Sequence, residues 1–88
     1  MARWRITEET HLGETQDCSV PGGLTPDEID RMLSRLAARD LAFEEVIGSS
    51  LRKKMNGYRV HLEVHREIKG GLLWIIGLNT YTARYEAD

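Results

Sequence analysis

Hydrophobic and polar residues alternate most regularly in the C-terminal third of the chain. Over residues 58–68 the apolar side chains all fall on even positions, and the odd positions are all polar. This period of two is typical of a strand with one buried face. The next run, residues 72–76, is apolar on both parities. We therefore predict a β-hairpin with strands at residues 58–68 and 72–85, joined at Lys69-Gly70-Gly71.

The connection between these strands decides which side chains share a face. A two-residue Gly70-Gly71 turn would place Leu62 opposite Asn79, so an apolar side chain would pair with a polar one. A three-residue loop, with a glycine in the left-handed conformation, aligns the apolar even positions of both strands. We expect the second register, because a slip of one residue moves a strand's apolar set to the other face. The predicted pairs are Ile68 with Leu72, Arg66 with Trp74, Val64 with Ile76, Leu62 with Leu78 and Val60 with Thr80.

This register predicts two sheet faces of different character. The even face is expected to form the core, with the Arg66 guanidinium stacked on the Trp74 indole. The odd face is expected to contact a partner, because apolar side chains there would lie beside polar ones. Its candidate contact residues are His61, His65, Leu73, Ile75 and Tyr81. The alternative is that residues 10–23, or the residues after Thr82, fold over this face.

The N-terminal half predicts one strand, one loop and one helix. Residues 2–9 place Trp4 and Ile6 on one parity, which predicts a short strand that pairs with the hairpin. Residues 10–23 are polar and end in Pro-Gly-Gly, which predicts a loop. A helix is expected over residues 25–47.

The start of this helix carries a strong local signal. Thr25 is a suitable N-cap, Pro26 suits the first helical position, and Glu28 completes a capping box. The apolar stripe that follows consists of Ile29, Met32, Leu33, Leu36, Phe43 and Ile47. Asp40 interrupts the stripe, so the helix is either continuous or kinked there with Asp40 capping a second short helix, and Gly48 is expected to end it. The predicted fold is a single α+β domain over residues 1–88, of order β-α-β-β, with one helix, continuous or kinked, on one face of a small antiparallel sheet.

Composition narrows the class of protein. With 88 residues, 41% hydrophobic and 30% charged, the chain is typical of one small soluble domain. We expect no membrane span, no signal peptide and, with one cysteine, no internal disulfide, and hence a cytoplasmic location. Residues 1–50 carry five arginines and ten acidic side chains, whereas residues 51–88 carry seven basic and four acidic ones. Only the C-terminal part therefore offers a basic surface.

Few residues suggest chemistry. His61, Glu63 and His65 form an HxExH pattern, but the two histidines would lie about 13 Å apart on a strand and cannot bind one ion together. Cys18 lies beside Asp17, which disfavours a reactive thiolate. We therefore expect no metal and no cofactor.

The basic segment and the hairpin together resemble a known family. A basic stretch of Arg52, Lys53 and Lys54 precedes Tyr58-Arg59, and the chain continues through Gly77 to a terminal Tyr85. In this spacing the last 35 or so residues resemble the RelE/ParE toxins. The resemblance implies an mRNA endonuclease in which cations stabilise charge on the phosphodiester and a phenol or a lysine moves a proton. The catalytic residues that it implies are Lys53, Lys54, Arg59 and Tyr85.

Because the residues themselves define no catalytic centre, we predict a small non-enzymatic binding or regulatory protein, such as an inhibitor of the prokaryotic or phage type. It would act through contact with another protein or with a second copy. The contact residues would be those of the odd face, with Arg52 and Lys54 of the connector. One alternative is the RelE/ParE-like toxin, and another is a homodimeric nucleic-acid-binding protein that uses the basic segment 52–59. No membrane partner is expected.

Overall fold

The computed structural model describes residues 1–57, 62–67 and 71–88. Within these residues it contains one five-stranded antiparallel sheet and two helices, so the mixed α+β class is confirmed. The elements are β1 (Arg3–Glu9), β2 (Thr15–Pro21), α1 (Pro26–Ala38), α2 (Phe43–Ser50), β3 (His65–Glu67), β4 (Leu72–Ile76) and β5 (Thr80–Glu86). The strand order across the sheet is β2-β1-β5-β4-β3. The predicted order β-α-β-β, with a single helix, is therefore too simple.

The core lies between α1 and one face of the sheet. Ile29 and Leu33 of α1 are fully buried, and α1 packs against β4 and β5. Burying such side chains stabilises the fold by about 1.5 to 3 kcal/mol each. The sheet contributes Trp4, Ile6, Leu73, Ile75, Tyr81 and Ala83 to this core.

The prediction that residues 10–23 form a loop is wrong, because seven of them form β2. β2 pairs with β1 along its whole length, from Arg3 opposite Pro21 to Glu9 opposite Thr15. It is an edge strand, and six of its seven residues are exposed. Such a strand is held mainly by main-chain hydrogen bonds, and its apolar positions, Cys18 and Val20, are too few to predict a strand from periodicity.

The predicted hairpin register is wrong by one residue. Glu67 lies opposite Leu72, Arg66 opposite Leu73 and His65 opposite Trp74. The even positions of the first run do face the core, since Leu62 and Val64 pack against it. In β4 it is the odd positions that face the core. Because β4 is apolar at both odd and even positions, its sequence does not show which of the two sets of residues is buried.

The predicted strands are also divided differently. Within the described residues 62–67 only β3 is a strand, and the predicted strand 72–85 is two strands, β4 and β5. Between them the Gly77 N–H donates to the Asn79 carbonyl at 3.1 Å. β5 lies between β4 and β1, so the predicted pairing of the N-terminal strand with this region is confirmed. Residues 58–61 and 68–70 lie outside the described part of the chain.

The glycine expected in the connection is confirmed at Gly71, whose φ is +59°. A Cβ built there would lie 2.8 Å from the Cβ of Tyr85, so the close approach of these two segments also needs a glycine. The Gly71 carbonyl accepts a hydrogen bond from the Tyr85 N–H at 2.8 Å.

The helical segment forms two helices rather than one. At the start of α1 the predicted capping box is present, with the Thr25 N–H donating to the Glu28 carboxylate at 3.0 Å and the Glu28 N–H donating to the Thr25 hydroxyl at 3.2 Å. The chain breaks near Asp40, but Ala42 rather than Asp40 is the N-cap of α2. Gly48 does not end α2, which continues to Ser50.

Contrary to the prediction, the buried apolar stripe of α1 does not continue into α2. Phe43 is 80% exposed and Ile47 is 52% exposed. Among the described residues, neither helix α1 nor any strand makes an extensive contact with α2. Neither of the helices in the described residues is long and apolar enough to cross a membrane.

Candidate functional site

An apolar strip runs along β4 on the face of the sheet opposite α1. Side chains alternate between the two faces along a strand. Leu73 and Ile75 are buried under α1, so Leu72, Trp74 and Ile76 lie on the other face. Ile76 is 66% exposed, and Leu72 and Trp74 are partly buried. We call these three residues together with His65 the Trp74 patch.

His65 holds the centre of the Trp74 patch in place. It lies opposite Trp74 in the β3–β4 register, and the two rings stack with centroids 5.6 Å apart and planes inclined by 28°. Stacked aromatic pairs contribute about 0.5 to 1.5 kcal/mol beyond the area that they bury. The stack restricts the indole rotamer before any partner arrives, which lowers the entropy cost of binding.

Polar side chains surround the Trp74 patch on both neighbouring strands. On β5, Thr80 lies opposite Ile76 and Thr82 opposite Trp74, and Arg84 lies opposite Leu72. On β3, Glu67 lies on the other side of Leu72. An apolar centre with a polar rim is the usual anatomy of a protein–protein interface.

The two arginines of β1 on the same face, Arg3 and Arg5, are already paired. Arg3 Nε donates to Glu86 Oε1 at 2.8 Å, Arg5 Nε lies 3.2 Å from Glu86 Oε2, and Arg5 Nη1 lies 3.0 Å from Asp17 Oδ2. Hydrogen bonds from Arg3 and then Arg5 lower the pKa of Glu86, and the bonds from Arg5 to Glu86 and Asp17 raise the pKa of Arg5. Arg3 and Arg5 are therefore balanced by Glu86 and Asp17 and are not free to contact phosphate groups.

Three of the predicted contact residues are buried. Leu73, Ile75 and Tyr81 are 3%, 1% and 0% exposed beneath α1, so their expected exposure to a partner is wrong. Because of the one-residue error in register, the prediction placed the odd positions of β4 on the exposed face, where the structure has Leu72, Trp74 and Ile76. His65 does lie on the exposed face, and His61 lies outside the described residues.

Tyr81 has a structural partner instead. Its hydroxyl donates to Asp40 Oδ2 at 2.6 Å, which ties the segment after α1 to the centre of the sheet. Burial of the phenol, and next the hydrogen bond to Asp40, raise the pKa of Tyr81.

Arg66 does not stack on Trp74 as predicted. It lies opposite Leu73, on the α1 side of the sheet, where one guanidinium nitrogen donates to Asp27 and to Asp30 at 2.8 Å each. These bonds connect the short edge strand β3 to the first turns of α1.

The residues that the toxin resemblance implies lie in different environments. Arg52, Lys53 and Lys54 are exposed, and Lys53 Nζ lies 3.7 Å from Glu63 Oε1. Tyr85 packs edge-on against Trp4 with ring centroids 5.3 Å apart. Arg59 lies outside the described residues, so the catalytic roles of this set stay a prediction. Within the described ranges no group of three His, Cys, Asp or Glu side chains could hold a metal ion.

Sequence reasoning missed Trp74 and Ile76 as surface residues because it assigned them to the core. One signal pointed to them. A strand that is apolar on both parities must expose one set when a helix covers only one face of its sheet.

Comparison of the chain with family models, with curated proteins and with solved structures found no match in any of the three.

Proposed function

We propose that this chain is a small binding protein that acts by contact with another protein through the Trp74 patch. The observation that carries the proposal is a tryptophan that stacks on His65 and is flanked by an exposed isoleucine, on the face of the sheet opposite α1. Tryptophan anchors of this kind supply much of the binding energy of protein interfaces.

The chemistry of the surroundings favours a protein partner over a nucleic acid. The rim of the Trp74 patch carries threonines and charges of both signs, and the arginines of β1 on that face are paired with Glu86 and Asp17. Nucleic-acid binding draws most of its affinity from cations that are free to contact phosphates. A partner with an apolar, complementary surface fits this face better.

The test uses two isoleucines that are both exposed but lie on different surfaces. Ile76→Lys places a charge in the Trp74 patch, and Ile47→Lys places the same charge on α2. A partner retrieved from the source cells with the tagged wild-type protein should bind the Ile76→Lys variant about 30-fold more weakly, the effect of losing about 2 kcal/mol at a central contact. Titration calorimetry with the purified partner measures this change.

The control variant Ile47→Lys should bind like the wild type. If Ile47→Lys loses the partner and Ile76→Lys keeps it, α2 rather than the Trp74 patch is the contact surface. Growth arrest on expression that Lys54→Ala relieves, with no retrievable partner, would instead favour the nuclease interpretation.

A further inference from the structure

The outer edge of the sheet at β2 has main-chain groups that no described strand pairs. Among the described residues, β2 is the terminal strand of the sheet and pairs with β1 alone. At one end of the β1–β2 ladder the Gly22 N–H donates to the Ala2 carbonyl, and at the other end the Thr10 N–H donates to the Glu14 carbonyl. Because hydrogen-bonded positions alternate along an antiparallel pair, even-numbered residues of β2 bond to β1.

The odd-numbered residues of β2 therefore point their N–H and C=O groups away from the sheet. These residues are Thr15, Asp17, Ser19 and Pro21. Proline has no N–H, and the Pro21 carbonyl already accepts from the Leu24 N–H at 3.3 Å. The groups available to a further strand are therefore concentrated on Thr15, Asp17 and Ser19.

The two edges of the sheet differ in how they are protected. β3, the other terminal strand among the described residues, is three residues long and consists of His65, Arg66 and Glu67. Short length and charge are the usual devices that prevent edge-to-edge association. β2 is seven residues long and carries one charged side chain, Asp17. That charge is paired with Arg5 at 3.0 Å.

The sequence of β2 is suited to pairing with itself. Its middle residue is Cys18, so a twofold axis there places two antiparallel copies in full register. Asp17 of each copy then lies opposite Ser19 of the other, and these outward-facing residues exchange four main-chain hydrogen bonds in total. Pro21 falls at the end of the pairing, opposite Thr15 of the other copy, so its missing N–H removes a hydrogen bond only at the end of the ladder.

We propose that the protein forms a twofold dimer through antiparallel pairing of β2 with β2 of a second copy. The two five-stranded sheets then join into one continuous sheet, with both Trp74 patches on the same side. This proposal does not rest on the Trp74 patch having a partner. A monomeric variant that still binds the partner would leave the proposed function intact.

The single cysteine of the chain provides a direct test of the register. Cys18 is exposed and free, and any disulfide between two chains must join Cys18 to Cys18. In the proposed dimer these two residues form a non-hydrogen-bonded pair with Cα atoms about 4.5 Å apart, within the range that a disulfide spans. Diamide, a diazene oxidant, takes up the two thiol protons and two electrons as the S–S bond forms.

The matched control moves the thiol along the same side of the strand. In a Cys18→Ser, Gln16→Cys double variant the two thiols would lie four residues apart, about 13 Å, which is too far for a disulfide. With diamide, wild-type protein should form covalent dimer at least tenfold faster than this variant, as measured by non-reducing electrophoresis. Equal rates in the two proteins would indicate random collision and overturn the proposal.

A second pair of variants tests the dimer without oxidation. Ser19→Pro removes an N–H that β1 does not use, so the fold should survive, while the dimer loses one hydrogen bond at each Ser19. Analytical ultracentrifugation at about 100 µM, chosen because edge pairing buries little area, should show a dimer for the wild type and for Ser19→Ala, and a monomer for Ser19→Pro. A monomeric wild type, or a Ser19→Pro variant that remains dimeric, would overturn the proposal.

Discussion

Tyr81 shows how a single side chain can connect the segment after a helix to the middle of a sheet. Its ring is completely buried, and its hydroxyl donates to Asp40, which follows α1. Asp40 interrupts the apolar stripe in the sequence because it accepts this bond rather than packing in the core. A residue that looked like an irregularity in the helix therefore has a specific partner 41 positions later in the chain.

The change Tyr81→Phe should isolate that hydrogen bond. It removes the hydroxyl and keeps the ring, so the free energy of unfolding should fall by about 1 to 2 kcal/mol, the worth of a bond to a charged acceptor that is partly open to solvent. Urea denaturation at pH 7 measures the difference.

The pH dependence gives an independent check on this contact. The pKa of Tyr81 is raised in the folded protein, so its contribution is fully present below pH 10, the ordinary value for tyrosine, and is lost as the pH rises through the raised pKa. The stability difference between wild type and Tyr81→Phe should therefore shrink above about pH 10. A difference that grows there would contradict this account.

Helix α1 is specified by its own sequence to an unusual degree. The capping box of Thr25 and Glu28 and the proline at its start indicate its N-terminal boundary, and the stripe of Ile29 and Leu33 indicates its buried face. Such agreement arises because caps and helical periodicity act over a few residues. β2 has no comparable local signal, since the partner that stabilises it is β1.

The capping box should make α1 sensitive to acid. Hydrogen bonds from the backbone and the side chain of Thr25 lower the pKa of Glu28, so its contribution is present above the ordinary carboxyl pKa and is lost as the pH falls through the lowered value. Glu28→Gln keeps the acceptor but not the charge. The difference in Tm between wild type and Glu28→Gln should therefore be present at pH 6 and vanish in strong acid.

Two changes at Thr25 provide the control for this prediction. Thr25→Ala removes the hydroxyl that caps the helix and should cost about 1 kcal/mol, whereas Thr25→Ser retains the hydroxyl and should cost little. If the Tm difference between wild type and Glu28→Gln is the same at every pH, the carboxylate charge has no role in the cap.

In the described part of the molecule the core lies on one side of the sheet. α1 covers β4 and β5 on one face, while α2 leaves Phe43 and Ile47 exposed. Both helices carry isoleucines of the same predicted stripe, so the two positions form a matched pair for measuring what burial contributes.

Ile29→Ala should cost about 2 to 5 kcal/mol, because Ile29 is fully buried between α1 and the sheet. Ile47→Ala should cost less than about 0.5 kcal/mol, as is usual for exposed positions. Thermal unfolding followed by circular dichroism measures both. Equal losses would mean that α2 packs as tightly as α1 does.

The class of fold, the N-terminal strand, α1 with its cap and the left-handed glycine of the hairpin connection all follow from the chain's own residues, because each depends on interactions between near neighbours or on strong periodicity. The buried face of β4 does not. Residues 72–76 are apolar on both parities, so packing against α1 selects Leu73 and Ile75 for the core and leaves Trp74 and Ile76 at the surface. β2 likewise exists because β1 pairs with it. Both outcomes depend on contacts between segments distant in the chain, and those contacts place the candidate binding surface and the free edge of the sheet.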